Sequence, residues 1–246
     1  MKTRLVLLGI PVSMAISAVV LLWTTSLATA APIALSSSIW RDDFNSPTLD
    51  SRWSWIREDP THWSLTAQPG FLRITLQQGL ISADTNRNML VQNVPAGDFE
   101  IQTHLFFTPT ENVQRAGLVA YQDGSNQVML LRAYCGFPGC PGNAIYFDQI
   151  EQGQAIGSNY AATTTLTNEV YLRLTRQGID YTGYMSDNGI DWTLLGTHTV
   201  VNGFVPSGIG FMVDDCDFGT SGIPADYDFF LLNDKPHDLF LPLIIR

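Results

Sequence analysis

Phe99-Glu100-Ile101-Gln102-Thr103-His104-Leu105-Phe106-Phe107 is the stretch that decides the fold. Its residues fall into two alternating sets: Phe99, Ile101, Leu105 and Phe107 are apolar, while Glu100, Gln102, His104 and Phe106 form a more polar set. A period of two predicts a β-strand with one buried face and one more polar face. The run 170–175 repeats this alternation, with Val170, Leu172 and Leu174 on one side and Tyr171, Arg173 and Thr175 on the other.

Turn signals separate these and further strands. Asp123-Gly124-Ser125-Asn126 lies between two runs that are richer in apolar residues, 116–121 and 127–134, and predicts a hairpin turn. Asp187-Asn188-Gly189 predicts a second tight turn, because Asn-Gly accepts positive φ at little cost. No stretch after residue 30 repeats with the 3.6-residue period of a helix. The chain is therefore predicted to be all-β, a sandwich or barrel of antiparallel strands.

Composition agrees with a folded domain and restricts its partners. The chain of 246 residues is 45% hydrophobic and only 15% charged, which excludes a disordered polymer. Its net charge of −10 repels phosphate backbones and anionic lipid headgroups. Nucleic acid and membrane surfaces are therefore excluded as expected partners, whereas neutral sugars and cations such as calcium stay open.

The first thirty residues have the pattern of a signal peptide. Lys2 and Arg4 precede an uncharged, mostly apolar run, and Ala28-Thr29-Ala30 supplies the small residues of a cleavage site. We expect cleavage after residue 30 and a secreted or cell-surface protein, with an uncleaved membrane anchor as the alternative. Residues 31–39 are then a linker, 40–233 the sandwich and 234–246 an apolar tail. That tail is either an edge strand or an exposed sorting or docking segment.

Three cysteines lie in the part predicted to be exported, where disulfides persist. Cys135 and Cys140 bracket a short loop, so a local bridge between them is the expected pairing. A bridge from Cys216 to either of them is the alternative, since sequence does not fix connectivity.

Several segments together carry a family resemblance. They are residues 53–58 with Trp63, residues 68–74, residues 116–123 with Asn126, residues 171–174, and residues 184–189 with Trp192. In this order they resemble the concanavalin A-like β-sandwich at the C-terminus of family 43 glycoside hydrolases of the β-xylosidase type, and related stand-alone jelly rolls. The likeness covers most of residues 40–232. It implies a jelly-roll β-sandwich of two antiparallel sheets.

The same resemblance implies an accessory role. In those hydrolases the catalytic acid and base lie in a separate five-bladed propeller, for which this chain has no room. We therefore expect no catalytic centre. Glycoside hydrolysis needs two carboxylates, and no Glu-x-Asp-x-x-Glu run is present. Distant carboxylates can still meet in the fold, so an extracellular glycoside hydrolase is the alternative function. A structural cell-envelope protein is the second alternative.

Carbohydrate recognition needs flat rings that stack on sugars and planar polar groups that bind their hydroxyls. The expected ligand is a polysaccharide or oligosaccharide, held on a concave sheet with no bond broken. If the central strands share a sheet, one polar face contains Glu100, Gln102, His104, Arg132, Tyr134, Tyr171, Arg173 and Tyr184. Trp55 is a further candidate, with a core position as its alternative. A partner protein domain or plain solvent are the alternatives for that face.

Acidic residues near both ends of the sandwich suggest a structural calcium ion. Asp43 lies where the predicted sandwich opens, and Asp228 lies in the last clear strand, 226–229. First and last strands of such jelly rolls often lie side by side, and calcium prefers carboxylate and carbonyl oxygens. Solvated charges at strand ends are the alternative. The histidines lack metal-ligand spacing, so zinc is not expected.

Overall fold

The computed structural model describes residues 38–215 and 222–235. The predicted signal segment, Cys216 and most of the apolar tail lie outside the described residues. The first described strand begins at Ser38, inside the predicted linker, and the last ends at Lys235, inside the predicted tail. Residues 38–215 and 222–235 contain no helix that could span a bilayer.

Seventeen strands and a 3-10 turn at Ile81–Ala83 make up the secondary structure of the described residues. The strands are β1 Ser38–Asp42, β2 Ser54–Ile56, β3 Trp63–Ser64, β4 Leu72–Thr75, β5 Met89–Gln92, β6 Asp98–Phe106, β7 Gln114–Asp123, β8 Asn126–Cys135, β9 Gly142–Glu151, β10 Gln154–Ala155, β11 Tyr160–Ala162, β12 Glu169–Gln177, β13 Asp180–Ser186, β14 Thr193–Thr199, β15 Gly208–Asp215, β16 Pro224–Tyr227 and β17 Phe230–Lys235.

These strands form two antiparallel sheets, which confirms the predicted sandwich. The first sheet has the order β14-β13-β12-β6-β16-β4-β3, with β17 also pairing with β6 and β1 pairing with β17. The second has the order β10-β9-β8-β7-β15-β5-β2, with β11 on β9. The predicted adjacency of first and last strands is confirmed by the pairing of Asp42 with Phe230. The predicted last strand, however, breaks at Asp228, between β16 and β17.

The alternation that predicted β6 and β12 is confirmed by their burial. Phe99, Ile101 and Leu105 are buried between the sheets, and Leu172 and Leu174 pack in the same core. The hairpin turn is confirmed as well, because Asp123 pairs with Asn126 across it. The main core lies between the two sheets, as the sequence periodicity requires.

A second apolar cluster lies on the opposite, outer face of the second sheet. It contains Ile81, Met89, Val91, Val119, Tyr121, Met129, Leu131 and Met212. The segment 76–88 covers this cluster and is fixed there by several hydrogen bonds. Arg57 Nε donates to the carbonyl of Asn86 at 2.6 Å, and the hydroxyl of Tyr121 donates to Asp84 at 2.5 Å. The central strands of this sheet are thus buried on both faces, which explains their apolar sequence.

Candidate functional site

Six of the predicted ligand-binding residues do share one face, the outer face of the first sheet. They lie on adjacent strands: Glu100, Gln102 and His104 on β6, Tyr171 and Arg173 on β12, and Tyr184 on β13. Register places Tyr171 opposite His104 and Arg173 opposite Gln102. Period-two alternation placed these six residues on the same side of their strands, as the structure has them.

Much of the binding capacity of this face is used internally. The imidazole of His104 stacks on the ring of Tyr171, with centroids 3.8 Å apart and planes at 7°. Its Nε2 lies 2.8 Å from a Glu169 oxygen, and its Nδ1 lies 3.4 Å from Asp228. The guanidinium of Arg173 lies 4.4 Å from the centroid of the Tyr184 ring. His104 thus has partners for both ring nitrogens, whereas Arg173 contacts rings and its Nε has no hydrogen-bond acceptor among the described residues.

Glu100 is engaged in the same way. Its carboxylate accepts a hydrogen bond from Gln102 Nε2 at 2.7 Å and pairs with Lys235 Nζ at 3.2 Å. The Arg173 guanidinium also covers Trp192, 4.3 Å from that ring's centroid. A sugar would therefore have to displace existing contacts to bind here.

The structure corrects the placement of Arg132 and Tyr134. Both lie on β8, which belongs to the second sheet, so they do not share the face of Glu100. Arg132 is 1% exposed and points between the sheets. It donates to the carbonyls of Glu169 at 2.7 Å and Leu166 at 2.9 Å. Alternation assigns a residue to one side of its strand, but it does not say which sheet the strand joins.

Trp55 lies at an edge of the sandwich and is not on that face. It sits on β2 of the second sheet, and its ring is 4.9 Å from the ring of Trp63 on β3 of the first sheet. Both rings are half-buried and pack against the core. Trp53, by contrast, is buried within the core. The core alternative therefore holds in part for Trp55.

An open groove crosses the outer face of the second sheet, beside the covering segment 76–88. It consists of two adjoining cavities of about 400 Å³ and about 210 Å³. Both are lined by Arg115 from β7, Asp148 from β9 and Asn159. The larger cavity is also lined by Val113, Ala133, Tyr134, Cys135, Gly139, Cys140, Pro141, Tyr146 and Ala161. We call these two cavities the groove.

Arg115 is held in the groove by a buried carboxylate. Asp214 lies directly opposite it on β15. The guanidinium Nε and Nη2 bind the two carboxylate oxygens at 2.7 and 2.5 Å. The Asp214 side chain is fully buried, and it also accepts a hydrogen bond from the backbone N–H of Ile81 at 3.2 Å. This bidentate pair neutralises Arg115 while fixing its position at the groove wall.

Asp148 is the second charged residue shared by both cavities. Burial raises the pKa of its carboxyl, and the nearby charges of Arg115 and His198 oppose that rise. Tyr146 lies two residues earlier on the same side of β9. Its hydroxyl donates to the carbonyl of Gly142 at 2.8 Å, and burial, followed by the Asp148 charge, raises its pKa. Asp148 accepts no hydrogen bond from the described residues, so its oxygens are available to a ligand.

Gln127 adds a buried polar group to the smaller cavity. Its side chain is fully buried, and its Nε2 donates to the carbonyl of Gly124 at 3.2 Å. Its Oε1 has no hydrogen-bond partner among the described residues. Gln127 therefore forms part of the wall of the smaller cavity, with its Oε1 enclosed beneath the surface.

The Cys135–Cys140 disulfide is present and forms part of the groove wall. Replacing both cysteines by serine is expected to lower the free energy of unfolding by about 2 kcal/mol, because the bridge restricts the unfolded chain. Urea denaturation measures this, and the wild-type protein treated with reductant is the matched control. An unchanged unfolding midpoint in both samples would show that the bridge does not stabilise the fold.

The two residues predicted to bind calcium are each engaged by another side chain. Asp43 pairs with Arg41 Nε at 2.6 Å, and Asp228 lies beside His104. Within residues 38–215 and 222–235, no group of three or more His, Cys, Asp or Glu side chains is arranged to hold a metal ion. Calcium at Asp43 and Asp228 stays a prediction.

Sequence reasoning missed Arg115, Tyr146, Asp148 and Asn159 as site residues. One signal was available for two of them, because Arg115 directly precedes the apolar run 116–121 and Asp148 directly follows the run 144–147. The pairing of Arg115 with Asp214 joins residues 99 positions apart, so only the fold reveals it. Tyr134, which was predicted to lie on the same face as Glu100, lines the groove of the second sheet instead.

Comparison with known proteins places this sandwich in a family. The model of the β-xylosidase C-terminal concanavalin A-like domain matches residues 41–233. The chain therefore belongs to that family, as the sequence resemblance implied.

Among curated relatives, a non-reducing end α-L-arabinofuranosidase of Bacteroides ovatus is 26% identical over 210 residues. The match covers 80% of this chain and 38% of that protein. A xylosidase/arabinosidase of Butyrivibrio fibrisolvens is 34% identical over 89 residues, which are 36% of this chain and 17% of the relative. The chain thus spans well under half the length of these relatives.

Among solved structures, a family 43 glycoside hydrolase protein of Bacillus licheniformis superposes with a TM-score of 0.70. It is 20% identical, and the match covers 79% of this chain and 39% of the other. At that identity the likeness shows a shared fold.

Proposed function

We propose that this protein is a secreted carbohydrate-binding or accessory module that holds a saccharide in the groove of the second sheet without breaking a bond. The observation that carries the proposal is the groove itself. It combines a fixed guanidinium, a carboxylate with free acceptor capacity and a tyrosine ring in one open cleft. A ligand can donate hydrogen bonds to the free Asp148 oxygens and pack on the Tyr146 ring while the contacts of Arg115 with Asp214 and of the Tyr146 hydroxyl with Gly142 stay in place.

The size and chemistry of the groove suit a short oligosaccharide. Ligand sites typically enclose about 300–1,000 Å³ and combine apolar walls with a few placed polar groups. The combined volume of the two cavities falls in that range. Their walls combine apolar side chains with two charged ones, namely Ala133, Ala161 and Met129 with Arg115 and Asp148. The open shape admits a chain that extends beyond the bound sugars.

The relatives indicate which saccharides to test first. One is named for non-reducing end arabinofuranose and another for xylose and arabinose. We therefore propose ligands built from these pentoses, such as xylan and arabinoxylan chains. An accessory position beside a catalytic domain is a compatible role, since the family is defined by a C-terminal domain of β-xylosidases.

Binding is favoured over hydrolysis by the charges in the groove. Glycoside hydrolysis requires two carboxyl groups on either side of the bond. Among the described residues that line both cavities, Asp148 supplies the carboxylate. Asp214 lies beneath the groove surface, where its carboxylate is buried and pairs with Arg115. An arrangement of this kind can bind a sugar, but it lacks the acid–base pair that cleavage uses.

Changing Tyr146 to alanine is expected to weaken retention on insoluble arabinoxylan about tenfold or more, since truncation of a central aromatic contact typically costs this much. Depletion binding of the purified protein measures it, with thermal unfolding to verify the fold. Tyr184→Ala on the first sheet is the matched control and is expected to bind like the wild type.

Three results would contradict or redirect the proposal. Loss of binding in Tyr184→Ala with normal binding in Tyr146→Ala would place the site on the first sheet. Release of reducing sugar that disappears in Asp148→Asn would support the hydrolase alternative. No retention of the wild type on any polysaccharide would overturn carbohydrate binding. Repeating the wild-type measurement with a chelator tests the predicted calcium ion.

A further inference from the structure

Two charged side chains from the described residues line the groove, Arg115 and Asp148. They are not equivalent. The guanidinium Nε and Nη2 of Arg115 bind the two carboxylate oxygens of Asp214, whose side chain is fully buried. The positive charge is thus balanced from beneath the groove surface, and little of it remains to attract an anion.

Asp148 has no such balance. It accepts no hydrogen bond from the described residues, and it belongs to the lining of both cavities, so a ligand that occupies either one passes close to it. Arg115, Asp214 and Asp148 together carry one negative charge in excess. The chain as a whole carries a net charge of −10, which adds to the same sign.

A sugar hydroxyl can donate a hydrogen bond to the Asp148 carboxylate, whereas an ionised uronate carboxylate can only accept one. Asp148 therefore favours hydroxyl-bearing, uncharged ligands in the groove.

We infer that the groove selects uncharged saccharides over chains with uronic acid substituents, and that Asp148 is the residue that excludes the acidic chains. This inference rests on the proposed carbohydrate binding in the groove. Two carboxylates brought within a few ångström repel each other strongly in a partly buried site, whereas a hydroxyl in the same place forms a charge-assisted hydrogen bond.

The test compares two probes of equal length, xylotetraose and a xylotetraose that carries one glucuronic acid. Binding of the purified full chain is measured by calorimetry at pH 8, because burial raises the pKa of Asp148 and its carboxyl must be ionised. We expect the wild type to bind the neutral probe about tenfold or more tightly than the acidic one.

Asp148→Asn keeps the size and one acceptor of the side chain and removes its charge. In this variant the difference between the probes is expected to fall to about threefold or less, mainly through tighter binding of the acidic probe. Asp180→Asn, at an exposed position on β13 of the first sheet, is the matched control and is expected to keep the wild-type selectivity. The unfolding temperatures of both variants, compared with that of the wild type, verify that the fold is intact.

The possible failures are distinguishable. Equal binding of both probes by the wild type overturns the selectivity and leaves carbohydrate binding standing. Selectivity that survives in Asp148→Asn but is lost in Asp180→Asn assigns the discrimination to the first sheet and overturns the role of Asp148. No binding of either probe overturns the proposed function together with this inference.

Discussion

Replacing Arg115 by methionine is expected to destabilise the protein by about 3–5 kcal/mol, because Asp214 is left as a buried charge without its cation. The Asp214 side chain is fully buried, and the guanidinium reaches it at 2.5 and 2.7 Å. Methionine keeps much of the length and apolar contact of arginine. The lost stability therefore measures the effect of leaving the Asp214 charge unpaired. Urea denaturation followed by circular dichroism measures it.

The control for this change is Arg41→Met. Arg41 pairs with Asp43 at a similar distance, 2.6 Å, but both side chains are about half exposed. An exposed pair typically contributes about 0–1 kcal/mol, so the control is expected to unfold almost like the wild type. Adding Asp214→Asn to Arg115→Met removes the orphaned charge and is expected to recover part of the loss. Equal effects of Arg115→Met and Arg41→Met would contradict this account of the groove wall.

Phe211→Ala is the second large change, with an expected loss of about 3–5 kcal/mol. Phe211 lies on β15, is fully buried, and packs in the main core between the two sheets. Its ring centroid lies 4.1 Å from that of Tyr227, 5.3 Å from that of Phe230 and 5.7 Å from that of Trp53. Truncation would leave a cavity among rings contributed by both sheets and by the segment between β1 and β2.

Phe137→Ala is the matched control, because it deletes the same atoms from a residue that is 59% exposed. We expect it to change the free energy of unfolding by about 0.5 kcal/mol or less. Chemical denaturation of the two variants side by side makes the comparison. A Phe211→Ala protein as stable as Phe137→Ala would show that the aromatic cluster is not the centre of the core.

The sequence was sufficient for the fold class because alternation and turn chemistry are local. Residues 99–107 showed which side chains of β6 point inward, and the Asp123–Asn126 turn marked the β7–β8 hairpin. Neither signal contains information about the sheet that a strand joins. Arg132 was therefore placed on a ligand face, although it is buried against the carbonyls of Glu169 and Leu166.

The groove was harder to predict, because it depends on how a distant segment covers a sheet. The strands β7 and β8 are apolar on both faces, since the segment 76–88 packs on their outer side. In sequence, such strands resemble ordinary core strands. The groove is the part of that face which the segment leaves uncovered, and no local pattern in residues 114–151 reveals where the cover ends.

The most direct test of the central claim is an NMR titration of the isotopically labelled protein with xylotetraose. Saccharide binding in the groove predicts saturable shifts of the backbone amides of Arg115, Tyr146, Asp148 and Asn159, while Tyr171 and Arg173 stay unchanged. Shifts confined to Tyr171 and Arg173, or no shift at saturating sugar, would contradict it.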